Sequence, residues 1–207
     1  MSAEIVLLTG DAEVPHLTES LLSHRPDLVV TPVLSLPELE QSCQISDHQS
    51  RRLIAYCTSL IVPAEILNTF SGLAYNFHPG PPTYPGVYPA NFAIYDGASR
   101  FGVTSHAMTE KVDEGSIVGT EAFDIAPGSN FNDLEIKAYL ALFELFKKQG
   151  PALVKTEAPL AELDIQWGSR KTTMQEYENL RNSDPVRNAL LNDTEKARRH
   201  LAFGNVT

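Results

Sequence analysis

Apolar positions in the first half of the chain come in short runs that alternate with helical spacing. Ile5–Leu8 is an unbroken apolar run closed by Thr9-Gly10-Asp11, the pattern of a buried strand. Val14, Leu17, Leu21 and Leu22 then share one helical face, which predicts a helix over Val14–Leu22. Leu28–Leu34 is a second apolar run. Ser35-Leu36-Pro37-Glu38 opens the next helix, with proline in the first turn, where its missing N–H costs nothing. Leu53–Cys57 is a third strand, Ala64–Phe70 a helix started by Pro63, and Gly72–Phe77 a fourth strand. This order predicts an α/β fold: a Rossmann-like, mostly parallel sheet with helices on both faces.

The middle of the chain breaks this rhythm. His78–Pro89 holds five of the 14 prolines (Pro79, Pro81, Pro82, Pro85 and Pro89) together with Gly80 and Gly86. Such a stretch is neither helix nor central strand, so it is a stiff loop directly after a strand end. In open parallel sheets that edge binds ligands. A helix over Ala90–Tyr95 and strands over Phe101–Met108 and Ser116–Phe123 follow. Asn130–Lys148 then places Phe131, Leu134, Ala138, Leu142 and Leu145 on one side of a long helix. After Gly150-Pro151 the chain is more polar. Loops and short strands are expected over Thr156–Arg170, and short helices over Tyr177–Asn182 and Asp193–Phe203. The expected organisation is a catalytic domain over residues 1–150 and a short helical C-terminal appendage, 151–207, packed on it.

Charge and composition narrow the partners. A net charge of −10 argues against a large nucleic-acid footprint. Cys43 and Cys57 are too few for a disulfide framework and form no CxxC pair, which suits a reducing compartment. The start, MSAEIVLLTGD, has an acidic residue where a signal peptide is basic. No apolar run approaches the roughly 20 residues that span a bilayer. A cytoplasmic protein with no membrane contact is expected, and the oligomeric state is left open.

Three places carry candidate chemistry. In Asn76-Phe77-His78-Pro79, strand alternation turns Asn76 and His78 to one side and Phe77 to the other. A His so placed acts as acid or base near neutral pH, and an Asn amide donates to a developing oxyanion. The same two side chains also serve simply to satisfy loop backbone. Asp113, in the turn Val112-Asp113-Glu114-Gly115, either orients His78 and stabilises its cation or caps its own turn. Thr104 and His106 share a face of the strand that leads there. His78, His106 and Asp113 formally make a two-His, one-carboxylate metal set, but no close-spaced ligand pair supports it, and no metal is expected. GxSxG, GxxxxGK[ST] and GxGxxG are absent. Trp167 and the tyrosines read as packing.

The segment Ser59–Val118 resembles the catalytic core of the 10-formyltetrahydrofolate-dependent formyltransferases. That family includes enzymes acting on methionyl-tRNA, glycinamide ribonucleotide and amino-sugar nucleotides. Asn76-Phe77-His78-Pro79, Tyr84-Pro85-Gly86, Phe101–His106 and Val112–Gly115 carry the resemblance, in the family's order and with about one residue missing from the proline loop. It implies an enzyme that moves a formyl group from 10-formyltetrahydrofolate to an amine. Asn76 and His78 would contact the formyl oxygen and stabilise the tetrahedral intermediate. Asp113 would hold His78 and assist proton transfer, and Thr104 and His106 would support the site. The backbone of Leu60, Ile61 and Val62 would bind the pterin, with Lys111, Val112 and Gly115 closing its other side. Arg170-Lys171-Thr172 and Arg198–Phe203 resemble segments downstream of the family's catalytic domain. The glycine- and serine-rich phosphate loop of the glycinamide ribonucleotide enzyme is absent; Gly10-Asp11-Ala12-Glu13 stands in its place, and its acids would repel a phosphate, which argues against that substrate. The length of the chain argues against tRNA as a partner. A small-molecule amine, such as an amino-sugar nucleotide, remains as acceptor. The same three side chains also fit a hydrolase that releases formate, and the fold alone fits a non-catalytic folate-binding protein.

Overall fold

A computed structural model describes residues 3–45, 50–71, 73–182 and 191–204. Six strands form one sheet in the order β2-β1-β3-β4-β5-β6: β1 Ala3–Leu8, β2 Val29–Val33, β3 Ser50–Tyr56, β4 Ala74–His78, β5 Arg100–Ala107 and β6 Ile117–Asp124. The first four run parallel, while β5 and β6 are antiparallel to their neighbours. The link from β5 to β6 is residues 108–116, too short for a parallel crossover, so the chain turns back on itself. Pro32 lies in β2, at the sheet edge, where a missing N–H is tolerated.

Helices α1 (Val14–His24), α4 (Pro89–Asp96), α5 (Phe131–Leu153) and α7 (Asp193–Phe203) cover one face, and α2 (Leu36–Ile45) and α3 (Ala64–Asn68) the other; α6 is Met174–Arg181. Two cores follow from strand alternation. Ile5 and Leu7 join Leu17, Leu142 and Phe146 on one side. Val6 and Leu8 join Leu39, Ile66 and Phe70 on the other. Asn130 caps α5: its side chain accepts from Asp133 N at 3.1 Å, and the Asp133 carboxylate accepts from Asn130 N at 3.0 Å. That supplies the helix start read at Asn130.

The boundaries differ from the sequence pattern in informative places. β3 begins at Ser50, ahead of the apolar run, and takes in two arginines. Arg51 pairs with Glu4 at 2.7 Å, and buried Arg52 donates to the Lys155 and Ala158 carbonyls at 2.7 and 2.6 Å. Both arginines find partners far along the chain, which periodicity does not register. Cys57, expected as the last strand residue, leaves the strand with φ 47. α5 continues past Lys148 through Gly150 and Pro151 to Leu153, so the proline forgoes one helical N–H bond only two residues before the helix ends. The short strands expected over Thr156–Arg170 do not form among the described residues. That segment makes single backbone bonds to other elements, such as Leu163 N to Ile117 O at 2.7 Å. Gly72, expected to open the fourth strand, lies outside the described residues. Among these, no helix is long and apolar enough to cross a membrane.

The tail packs on α4. α7 sets Phe203 against Tyr95 and Tyr177, and Asn91 donates to the Ala202 carbonyl at 2.6 Å. Tyr56, Phe77 and Phe146 form the aromatic centre of the larger core, with Phe146 at 5.2 Å from Phe77, edge to face. Phe146→Ala is therefore expected to cost about 3–5 kcal/mol, read as a lower midpoint in denaturant unfolding at unchanged slope.

Candidate active site

β4 is the hinge of the sheet, parallel to β3 and antiparallel to β5, and its register builds the site. Asn76 lies opposite His106 and His78 opposite Thr104, so four polar side chains share one face. Phe77 points the other way, into the aromatic core. One residue of β6 is skipped between the pairs Ser105–Gly119 and His106–Ile117, a bulge beside the site that re-aims the strand. His78, Thr104, His106 and Asp113 are all buried.

Asp113 joins these strands from the turn between β5 and β6, with φ 50. Its Oδ1 lies 3.2 Å from His106 Nε2 and its Oδ2 3.7 Å from His78 Nδ1. Gly86 N donates to Oδ2 at 2.8 Å, tying the proline loop to the carboxylate. His78 Nε2 faces the Tyr84 carbonyl at 3.2 Å, so that nitrogen carries the proton and Nδ1 is the base. At 3.7 Å the carboxylate is beyond hydrogen-bond range of Nδ1, and a proton arriving there turns the contact into an ion pair.

His106 is the junction between the amide and the carboxylate. Its Nδ1 donates to the Ala107 carbonyl at 2.8 Å, and its Nε2 lies 3.2 Å from both Asn76 Nδ2 and Asp113 Oδ1. With Nε2 bare it accepts from Asn76; with Nε2 protonated it donates to Asp113. Thr104 Oγ1 donates to the Gly80 carbonyl at 2.8 Å and fixes the start of the proline loop.

Burial pushes the His78 pKa down, against the pull of Asp113. For Asp113, burial acts upward, but the His106 hydrogen bond, the charge of both imidazoles and the Gly86 N–H outweigh it and bring the pKa to about 2.

A cavity of about 320 Å³ opens on this cluster, large enough for a small ligand. Leu60, Ile61 and Val62 form one wall, Lys111 and Val112 another, and Asn76, His78, His106 and Asp113 line it too. Gly115 is not among the lining residues; it packs against the Ala107 carbonyl, where a Cβ would collide. Thr104 supports the loop from beneath. Among the described residues, no group of three or more His, Cys, Asp or Glu has metal-holding geometry.

Sequence reasoning did not connect the tail to this site. Lys171 and Thr172 line the same cavity. Thr172 N donates to the Pro85 carbonyl at 2.8 Å, and its hydroxyl to the Val87 carbonyl at 2.7 Å. Gly86, with φ 103, is pressed against Thr172 so closely that a Cβ would fall on its carbonyl. Lys171 Nζ donates to the Val112 carbonyl at 2.5 Å, and Trp167 Nε1 to the Gly115 carbonyl at 2.8 Å. No local signal marks these residues as site residues, because each acts through a fold partner more than 50 positions earlier in the chain. A second cavity, about 400 Å³, lies beyond the proline loop between Pro79, Pro89 and Ala90 and the α5 residues Glu135, Ile136, Tyr139 and Leu140.

Residues 38–140, which run from α2 into α5 and include the whole Asn76–His78–Asp113 cluster, match the formyl transferase family. The chain resembles the formyl transferase family over these 103 of its 207 residues. A methionyl-tRNA formyltransferase from Lactobacillus acidophilus is 25% identical over 135 residues, 65% of this chain and 43% of that protein. The chain thus spans less than half the length of this relative. Among solved structures, a sugar N-formyltransferase from Shewanella sp. aligns with a TM-score of 0.77 at 15% identity, covering 97% of this chain and 87% of that one. An N-formyltransferase from Helicobacter canadensis, solved with folinic acid and dTDP-3-aminofucose, aligns with a TM-score of 0.71 at 17% identity, covering 98% and 81%. The formyltransferase fold is common to all of these solved neighbours.

Both ionisable groups make this formyltransferase fold acid-labile. The folded chain holds His78 below its ordinary 6.5, so the unfolded chain takes up that proton first and stability falls as pH drops below 6.5. Asp113 at about 2, against an ordinary 3.8, contributes stability that is full above 3.8 and lost as pH falls to about 2. Denaturant unfolding from neutral pH down to about 3 is expected to show both losses, with His78→Gln reducing the one that begins near 6.5.

Proposed function

We propose that the chain transfers a formyl group from 10-formyltetrahydrofolate to the amine of a small molecule, with an amino-sugar nucleotide as the acceptor class. The observation that carries this reading is the pairing of Asn76 and His78 on one strand face with Asp113 against both imidazoles, all opening on one cavity. The cavity suits a flat heterocycle: Leu60, Ile61 and Val62 belong to neither helix nor strand, so apart from the Leu60 N–H, which bonds to the Thr58 hydroxyl, their peptide groups can meet its edge while their side chains stay apolar. When bound, the folate supplies an activated formyl carbon. The Asn76 amide donates to the oxygen on which charge grows, in a site shielded from water. His78 Nδ1 receives the proton lost by the attacking amine, and Asp113 stabilises the resulting cation without itself being protonated. Tetrahydrofolate leaves with that proton, and the new C–N bond is an amide.

The fold neighbour solved with folinic acid and dTDP-3-aminofucose supports both the donor and the acceptor class. The second cavity shares Pro79 with the loop that follows His78 and offers the acceptor an apolar seat beside the Glu135 carboxylate.

The test is release of tetrahydrofolate from 10-formyltetrahydrofolate with and without a panel of amines and amino-sugar nucleotides. Amine-dependent release supports the transfer; release in their absence moves the reading to a hydrolase. In the transferase, Asp113→Asn is expected to keep the fold and to lower turnover by about 100-fold or more, because the amide cannot stabilise the imidazolium. Near-wild-type turnover in that variant removes Asp113 from the mechanism. Chelators are expected to leave turnover unchanged.

A further inference from the structure

The histidine–carboxylate cluster is walled by one large side chain that comes from neither of its strands. The Trp167 indole lies 5.1 Å from the His106 ring at 88°, and 6.1 Å from the His78 ring at 70°. Its N–H holds the Gly115 carbonyl at 2.8 Å, two residues from Asp113. The flanking chain is fastened on both sides: Leu163 N bonds to Ile117 O, Gly168 N to Pro82 O, and Thr172 to Pro85 and Val87. The segment from Leu163 to Thr172 is therefore a strap across the two loops that carry the site.

We infer that Trp167 is a positioning residue: its ring excludes water from the two imidazoles, and its N–H latches the turn that presents Asp113. The strap is thus part of the reaction site. This rests on reading the cluster as the place of formyl transfer, but the geometry has consequences that do not depend on turnover.

Its chemistry follows from what surrounds His78. Asp113 faces it from the turn, His106 acts on it from β5, and the Tyr84 carbonyl holds its Nε2 from the proline loop. The indole adds a large apolar neighbour, 6.1 Å from the ring. Burial is the leading cause of the lowered His78 basicity, and an indole so close would contribute to it. A drier, less basic imidazole stays neutral at lower pH and remains available to accept a proton. A fixed Asp113 turn keeps the carboxylate in place to meet the cation, where small displacements cost rate steeply.

The test follows the histidine Cε1–H resonances of the full chain by NMR across pH in wild type, Trp167→Phe and Trp167→Ala, with His78→Gln and His106→Gln assigning the signals. In Trp167→Ala the His78 midpoint is expected to rise by about one pH unit toward the ordinary value as water reaches the ring. Trp167→Phe keeps an aromatic wall and is expected to hold most of the wild-type midpoint. Trp167→Leu reads the same displacement if the alanine variant does not fold. In the turnover assay, kcat is expected to fall about 10- to 100-fold in Trp167→Ala, with the donor KM changing less, and the acid limb of the pH profile moving with the NMR midpoint. An unchanged His78 midpoint in the small-residue variant overturns the inference, as does an equal displacement in the phenylalanine variant. Absence of any tetrahydrofolate release by wild type would defeat the transfer reading alone, since the titration is measured without substrate.

Discussion

A carboxylate with almost no water around it is the constraint on which this molecule is arranged. Asp113 is 3% exposed, and an ion so buried costs several kcal/mol unless its surroundings replace the lost hydration. Here the replacement is drawn from three separate stretches of chain: an imidazole of β5 in hydrogen-bond range, an imidazole of β4 just beyond it, and a backbone N–H of the proline loop. Each must arrive in register for the charge to be tolerated. The left-handed turn at Asp113, the bulge in β6 and the glycine at position 86 are the local distortions that let them do so.

The mixed sheet is the economical way to assemble that arrangement. A parallel partner on one side of β4 leaves the carboxyl edge of β3 and β4 open to a ligand. The antiparallel partner on the other side sets His106 and Thr104 directly opposite Asn76 and His78. A wholly parallel sheet would carry these residues away from one another on successive crossovers. The fold of this chain thus combines a Rossmann-like edge with a hairpin that returns a second histidine and a carboxylate to it.

Much of this was legible in the sequence. Hydrophobic periodicity located β1, α1, β4, β5, β6 and the start of α5, because each buries one face against a single core. The motif order from Asn76 to Gly115 brought together the three residues of the candidate site. What stayed hidden depended on long-range partners. The charged opening of β3 is strand because Arg51 finds Glu4 and Arg52 finds carbonyls a hundred residues on. Leu163 and Ile165 have the apolar character of strand residues, yet they belong to a strap held by isolated bonds. Trp167 read as packing, and what it packs against, the His78 and His106 rings, is distant in sequence. Gly115 also lets the turn lie on Ala107, a close approach with no local mark in the sequence.

The strap has a consequence for the order in which the protein is made. The family match ends at residue 140, and by then every side chain of the Asn76–His78–Asp113 cluster has been synthesised. The indole and the Thr172 clamp have not. A nascent chain folding from its N-terminus as it emerges therefore passes through a stage with a complete sheet and an unroofed cluster. The strap closes over that cluster last, so the final third of the chain supplies the last wall of the site to be built.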